Sequence, residues 1–190
     1  MSPSKSRKPR ADAVRNRQRL LAVAKACFAK SGGATTLEEI ARAAGVGIGT
    51  LYRHFPTRDA LVEQVYRDAL ERLGEAADHL IETQPPVEAL RQWLLLFVDY
   101  IATKKLMASL LAALAGGPDA LYAASRSTLR TSIAKLVDNA VASGEIRPAA
   151  VAPFDLLRAI GALAHANPEP GWETSARQMV DILLAGMRRS

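Results

Sequence analysis

The chain has 190 residues, 49% of them apolar and 23% charged, and a formal net charge of +6. That balance belongs to a folded chain and excludes a disordered one; no run approaches the roughly 18 apolar residues needed to cross a bilayer. The single cysteine, Cys27, excludes an internal disulfide and any multi-cysteine zinc site.

The charge is unevenly placed. Residues 1–70 carry 13 Lys or Arg against 6 Asp or Glu, whereas residues 71–190 carry 12 against 13. A basic excess confined to the first third suits a phosphate-facing surface there, since Lys and Arg supply most sequence-independent affinity for DNA. The N-terminus is basic but has no apolar h-region, so it does not read as a secretory signal. With one cysteine and no membrane span, these features favour the cytoplasm.

Residues 1–11, rich in Ser, Pro, Lys and Arg, read as a disordered basic tail, either an arm that follows DNA or a solvated tail with no fixed role. A first helix is predicted from Ala13 to Lys30, with Leu20 or Leu21, Ala24, Cys27 and Phe28 at helical spacing. Cys27 reads as a small core residue. Ser31-Gly32-Gly33 ends this helix.

Thr36 to Leu61 is the most informative stretch. Thr36 followed by Glu39 has capping-box form, in which the threonine oxygen accepts from a free amide and the glutamate reaches back to the cap. Leu37, Ile40, Ala41 and Ala44 make one apolar face. Gly45 stops the helix, because it takes the left-handed conformation that other residues resist. Val46 plugs the turn. A second short helix, Ile48 to Phe55, buries Leu51 and Phe55, turns Gly49, Thr50 and Arg53 outward, and leaves Tyr52 and His54 on its flanks. Pro56 breaks it and Thr57 caps the next. Two helices meeting at a glycine turn, the second with a small hydrogen-bonding outer face, form a helix-turn-helix.

A fourth helix is predicted from Thr57 to Thr83, with Leu61, Val65, Ala69 and Leu73 along one side. It is too long to belong only to a three-helix module, so its second half connects to another part. After the break at Gln84-Pro85-Pro86 come helices at Val87–Thr103, Leu106–Ala115, Asp119–Ser143, Pro153–Ala166 and Trp172–Met187, punctuated by Lys104-Lys105, Gly116-Gly117-Pro118, Gly144 and the loop from Asn167 to Gly171. No convincing strand is found. The expected class is all-α, about nine helices, with an N-terminal three-helix DNA-binding head and a larger C-terminal helical body. The expected organisation is a tail at 1–11, a helix-turn-helix domain at 12–60, and a helical ligand-binding and dimerisation domain at 61–190.

No catalytic, metal or cofactor site is expected. His54, His79 and His165 lie far apart without ligand spacing, no glycine loop is built for phosphate, and no nucleophile has an evident base.

The chain resembles the TetR family of bacterial transcriptional repressors in Gly33, Thr36, the I-A-x-x-A-G-V run from Ile40 to Val46, G-T-L-Y-R-H-F from Gly49 to Phe55, and Arg58 with Leu61. The likeness is close over about residues 13–60, and the predicted helix order fits the remainder. It implies a homodimer on an inverted-repeat operator in double-stranded DNA, the recognition helix entering the major groove. By motif position Ile48, Gly49 and Thr50 face the groove, while Tyr52 and His54 contact phosphate. Arg58 is a basic phosphate clamp, and Thr36 makes another backbone contact. Read from its residue type alone, Tyr52 either reaches phosphate or packs on the first helix, and His54 either does so or caps its own helix. Two departures stand out. Gly47 replaces a frequent serine, so a side-chain cap is missing. Glu38 sits where relatives place a basic reader and could only accept, for instance from a cytosine amine. Thr50 and Arg53 remain the main readers of sequence.

The resemblance also implies a small-molecule effector, not identifiable from sequence, bound in the body. A set fitting an apolar pocket with a few polar handles is Trp93, Phe97, Tyr100, Met107, Leu110, Tyr122, Arg126, Leu129 and Arg130, although an aromatic stripe at helical spacing also reads as core. Arg126 and Arg130, one turn apart, could meet an anionic ligand or form a solvated face. The small and apolar residues of the last two helices, Ile160, Gly161, Ala164, Met179, Val180, Leu183, Leu184 and Met187, read as a dimer interface. The expected function is a sequence-specific repressor released by its effector. The alternative is a helical interaction protein whose head does not read DNA specifically.

Overall fold

A computed structural model describes residues 7–148, 152–166 and 171–189. Among them the chain forms nine α-helices: α1 (Arg7–Ser31), α2 (Leu37–Ala43), α3 (Ile48–His54), α4 (Arg58–Thr83), α5 (Pro86–Leu106), α6 (Ala108–Ala112), α7 (Asp119–Ala142), α8 (Pro153–Ala166) and α9 (Trp172–Met187). A single 3-10 turn, Gly32–Ala34, follows α1. The all-α class and the helix order are those expected. Helix α1 starts earlier than expected, at Arg7 rather than Ala13, so residues 7–11 are helical and not tail. Pro9 does not prevent this, because amides in the first helical turn have no carbonyl partner to lose. Residues 1–6 of the expected tail, and 167–170 of the expected loop, lie outside the described residues.

The chain divides into two compact units, and the division falls inside α4, after Asp68. The first unit also takes Leu106–Pro118, which the expected boundary at residue 60 had given to the body. The reason is local packing. Leu110, Leu111 and Leu114 are buried, Leu110 lies 3.8 Å from where a Cβ on Gly33 would stand, and the Asp59 carboxylate accepts the Ala115 amide at 3.3 Å. Leu20, Leu21, Ala24 and Phe28 of α1, Ile40 and Ala41 of α2, Leu51 of α3 and Leu61, Val62 and Val65 of α4 complete the core of this unit. Cys27 is only half-buried; its carbonyl accepts the Thr35 hydroxyl at 3.1 Å.

The second unit is built from the later part of α4 with α5, α7, α8 and α9. Trp93, fully buried, donates its indole N–H to the Leu73 carbonyl at 2.8 Å, which removes the penalty of burying that donor. Its ring stacks with Phe97 at 6.1 Å between centroids, and Phe97 with Tyr100 at 6.1 Å. Helix α8 packs against α7 and α9. Ion pairs fasten the helices at the surface: Arg91 with Asp181 at 2.7 Å, Lys135 with Asp78 at 2.6 Å, and Arg177 with Asp99. The chain end is held by an isolated antiparallel bridge between Ile146 and Arg188.

The residues expected at a dimer face are largely used within the chain. Ile160, Ala164, Val180, Leu184 and Met187 are buried in the second unit's own core, and Gly161 faces Ile101 of α5. The sequence stripe marks where α8 and α9 meet their own unit, since a helix shows its strongest apolar periodicity toward the core it builds. What α8 and α9 leave at the surface is a different face: Ala159, Ala162 and Ala166, with Ser175, Gln178, Ile182 and Ala185. Met179 and Leu183 are half-buried beside it.

Candidate nucleic-acid interface

The local chemistry of α2 and α3 sets the site. Thr36 caps α2 in an extended conformation; its hydroxyl oxygen accepts the Glu39 amide at 3.2 Å, and its own amide donates to the Glu39 carboxylate at 2.9 Å. At the other end the Gly45 amide donates to the Arg42 carbonyl at 3.0 Å and the Val46 amide to the Ala41 carbonyl at 3.0 Å. This is a Schellman closure, and it requires the left-handed Gly45, whose φ is 64°. The chain thus leaves α2 at a fixed angle and enters α3 at Gly47.

Helix α3 is anchored from below. Leu51 is 0% exposed and Phe55 nearly so, and Arg17 of α1 places its guanidinium 5.7 Å from the Phe55 ring centre. Opposite this anchor, Gly47, Ile48, Gly49, Tyr52 and Arg53 are exposed. Ile48 and Tyr52 stand out, as large side chains 36% and 44% open to solvent. Thr50 and His54 are half-buried on the flanks, with the His54 ring 6.2 Å from Phe55. Glu38 is exposed in the first turn of α2. Gly47 is the α3 cap and makes no side-chain cap bond, as its missing Oγ dictates. Thr36, exposed, keeps its hydroxyl proton to donate, because the capping box uses only its oxygen.

Arg58, implied by motif position to be a phosphate clamp, makes contacts within the chain. Its guanidinium donates to the Thr35 carbonyl and, at 2.9 Å, to the Gly33 carbonyl. It also lies 5.5 Å from the Phe28 ring centre. The residue pins the segment ahead of α2 to the start of α4 and to α1. Sequence position gave no sign of this, because the acceptors are backbone groups 23 and 25 residues away.

The residues expected to line an effector pocket fall in both units. Met107 and Leu110 are buried in the first unit. Trp93, Phe97, Tyr100 and Leu129 are buried in the second, Tyr122 is half-buried there, and Arg126 and Arg130 are exposed on α7. Lys104, which sequence reasoning treated only as a bend marker, sits with its ammonium 4.1 Å from the centre of the Tyr122 ring. Burial, and after it the charge of Arg126, hold this ammonium below the ordinary lysine pKa. Arg130 lies 4.1 Å over the Phe154 ring of α8. Among the described residues no helix is long and apolar enough to cross a membrane.

Residues 20–65 match the model of bacterial regulatory proteins of the tetR family. Residues 85–189 match the C-terminal domain model described as transcriptional regulator SbtR-like. A solved TetR transcriptional regulator from Streptomyces coelicolor is 39% identical with a TM-score of 0.82, over 92% of this chain and 99% of that one. A TetR regulatory protein from Mycobacterium vanbaalenii is 34% identical with a TM-score of 0.73, over 95% of this chain and 99% of that one. The transcriptional repressor KstR2 of Mycolicibacterium smegmatis is 40% identical over 76 residues, which are 39% of this chain and 37% of that protein. The chain thus matches less than half the length of that curated relative.

Proposed function

The chain belongs to the TetR family of bacterial regulatory proteins, a family of DNA-binding transcriptional regulators rather than enzymes, and from this premise we propose that it is a transcriptional repressor that reads double-stranded DNA with α3. The observation that carries the reading is the outer face of α3. Ile48, Tyr52 and Arg53 stand exposed on a helix whose opposite side is locked by Leu51 and Phe55. Among the described residues these side chains stay open to solvent, and a major groove accepts a helix of this kind. Tyr52, Thr36 and His54 supply hydrogen-bond donors to phosphate, which position the head without reading sequence. Thr50 and Arg53 reach base edges. Ile48 offers an apolar contact to a thymine methyl.

The working form is a homodimer in the cytoplasm. Its interface is the surface face of α8 and α9, centred on Ile182, which is 63% exposed as a lone large apolar side chain among alanines. A two-fold interface places the same face on both subunits, and small residues allow close approach of helices. An effector bound in the second unit lowers DNA affinity by its differential affinity for the two states of the dimer. Helix α4, shared by both units, is one covalent route between them.

Selection of bound duplexes from a random pool tests the reading. One enriched inverted repeat is expected. Retention of DNA with no enriched sequence would instead favour a helical interaction module that uses its basic head without specificity.

A further inference from the structure

Several cations of the second unit are paired. Arg91, Lys135, Arg158 and Arg177 each meet a carboxylate, and the Lys105 ammonium donates to the Ala164 carbonyl at 2.9 Å. Lys104, Arg126 and Arg130 do not follow this pattern. Among the described residues none of the three has a carboxylate within ion-pair distance. Tyr122, Arg126 and Arg130 are spaced by four along α7 and so share one face of it, a strip roughly 12 Å long. Lys104 comes to one end of the strip from α5, at 4.1 Å from the Tyr122 ring. Phe154 of α8 comes to the other, 4.1 Å from the Arg130 guanidinium. The acidic groups closest in sequence do not compensate the strip: Asp155 is held by Arg158 at 3.0 Å, and Asp119 lies at the opening turn of α7.

We propose that Lys104, Arg126 and Arg130 form the seat of an organic anion, and that the effector of this protein carries a carboxylate or phosphate group. The inference rests on the reading that the second unit binds an effector, and it names that effector's chemical class. Lys104 is half-buried, so its ammonium has lost part of its water shell, and it lies against the Tyr122 ring and feels the charge of a second cation, Arg126. An acidic group placed between Lys104 and Arg126 restores the lost solvation and cancels their repulsion. Guanidinium groups at Arg126 and Arg130 bind carboxylate or phosphate oxygens with two parallel N–H donors.

The full chain titrated calorimetrically with decanoate, decyl phosphate and decanol tests this. Both anions are expected to bind at least about tenfold more tightly than the alcohol, and Lys104→Met or Arg126→Gln to weaken the anions about tenfold while leaving the alcohol unchanged. The stronger of the two anions identifies the acidic group. Equal binding of decanol, no binding of either anion, or unchanged anion affinity in both variants would overturn the proposal. Repeating the titration on the DNA complex separates it from the effector reading. Anions that bind the strip without releasing DNA leave the site standing and remove its regulatory role. Release by a neutral compound, with anions inert, does the reverse.

Discussion

Arg58→Met distinguishes a structural pin from a phosphate clamp. The change keeps the length of the stem and removes the guanidinium. Two charge-assisted bonds to the Thr35 and Gly33 carbonyls are lost, along with the contact over Phe28 at 5.5 Å. A hydrogen bond from a charged group contributes about 1.5–3 kcal/mol. The Gly33 end is exposed, where water replaces the donor, so the Thr35 bond carries most of the effect. With about 0.5 kcal/mol for the ring contact, the variant loses about 2–3 kcal/mol, read from the midpoint shift in urea of the transition that includes the first unit. Arg58→Lys recovers only part of this, because an ammonium cannot fork to two carbonyls in fixed geometry. The same variant is then titrated with DNA across salt concentrations. A pin leaves the slope of log affinity against log salt unchanged, since no phosphate contact is lost. A clamp lowers the slope by about 0.9. A reduced slope with unaltered stability would refute the structural role assigned to Arg58.

Other substitutions probe other links. Leu51→Ala leaves a cavity under α3 and is expected to cost about 2–5 kcal/mol, read by chemical denaturation, with DNA binding lost in parallel. Gly47→Ser restores a cap oxygen at a position whose φ of −69° suits any residue and where an added Cβ meets nothing; a gain of a few tenths of a kcal/mol is expected, a rise in melting temperature of about 1 °C. Ile182→Glu is expected to yield a monomer by equilibrium ultracentrifugation at micromolar concentration without loss of helicity, because the residue makes little contact within its own subunit; a dimer that survives would move the interface elsewhere.

The head was legible because its signals are local. The capping box at Thr36 and Glu39, the stop at Gly45 and the buried pair Leu51 and Phe55 depend on neighbours within a few residues, and spacing alone reveals them. The helix order of the body was legible for the same reason, since Pro86, Gly117, Gly144 and Pro153 punctuate it. What sequence did not show depends on distant partners. Arg58 turns inward to backbone carbonyls, which no side-chain pattern encodes. Leu110 and Leu114 look like any apolar helix residues, and only packing assigns them to the first unit. The apolar stripe of α8 and α9 reads as an interface in sequence, yet Ile160, Ala164, Val180, Leu184 and Met187 are buried within the chain itself, because periodicity reports burial and not which chain does the burying. Lys104 was read as punctuation, although its ammonium on α5 lies over Tyr122 of α7.

The account rests on the outer face of α3 as the reader of DNA, and Thr50→Ala tests it most directly. Bound sequences are selected from one random pool with the parent protein and with the variant. The account predicts that the preference changes at one position in each half-site, while the symmetry and the remaining positions persist. An identical motif from both proteins would contradict it.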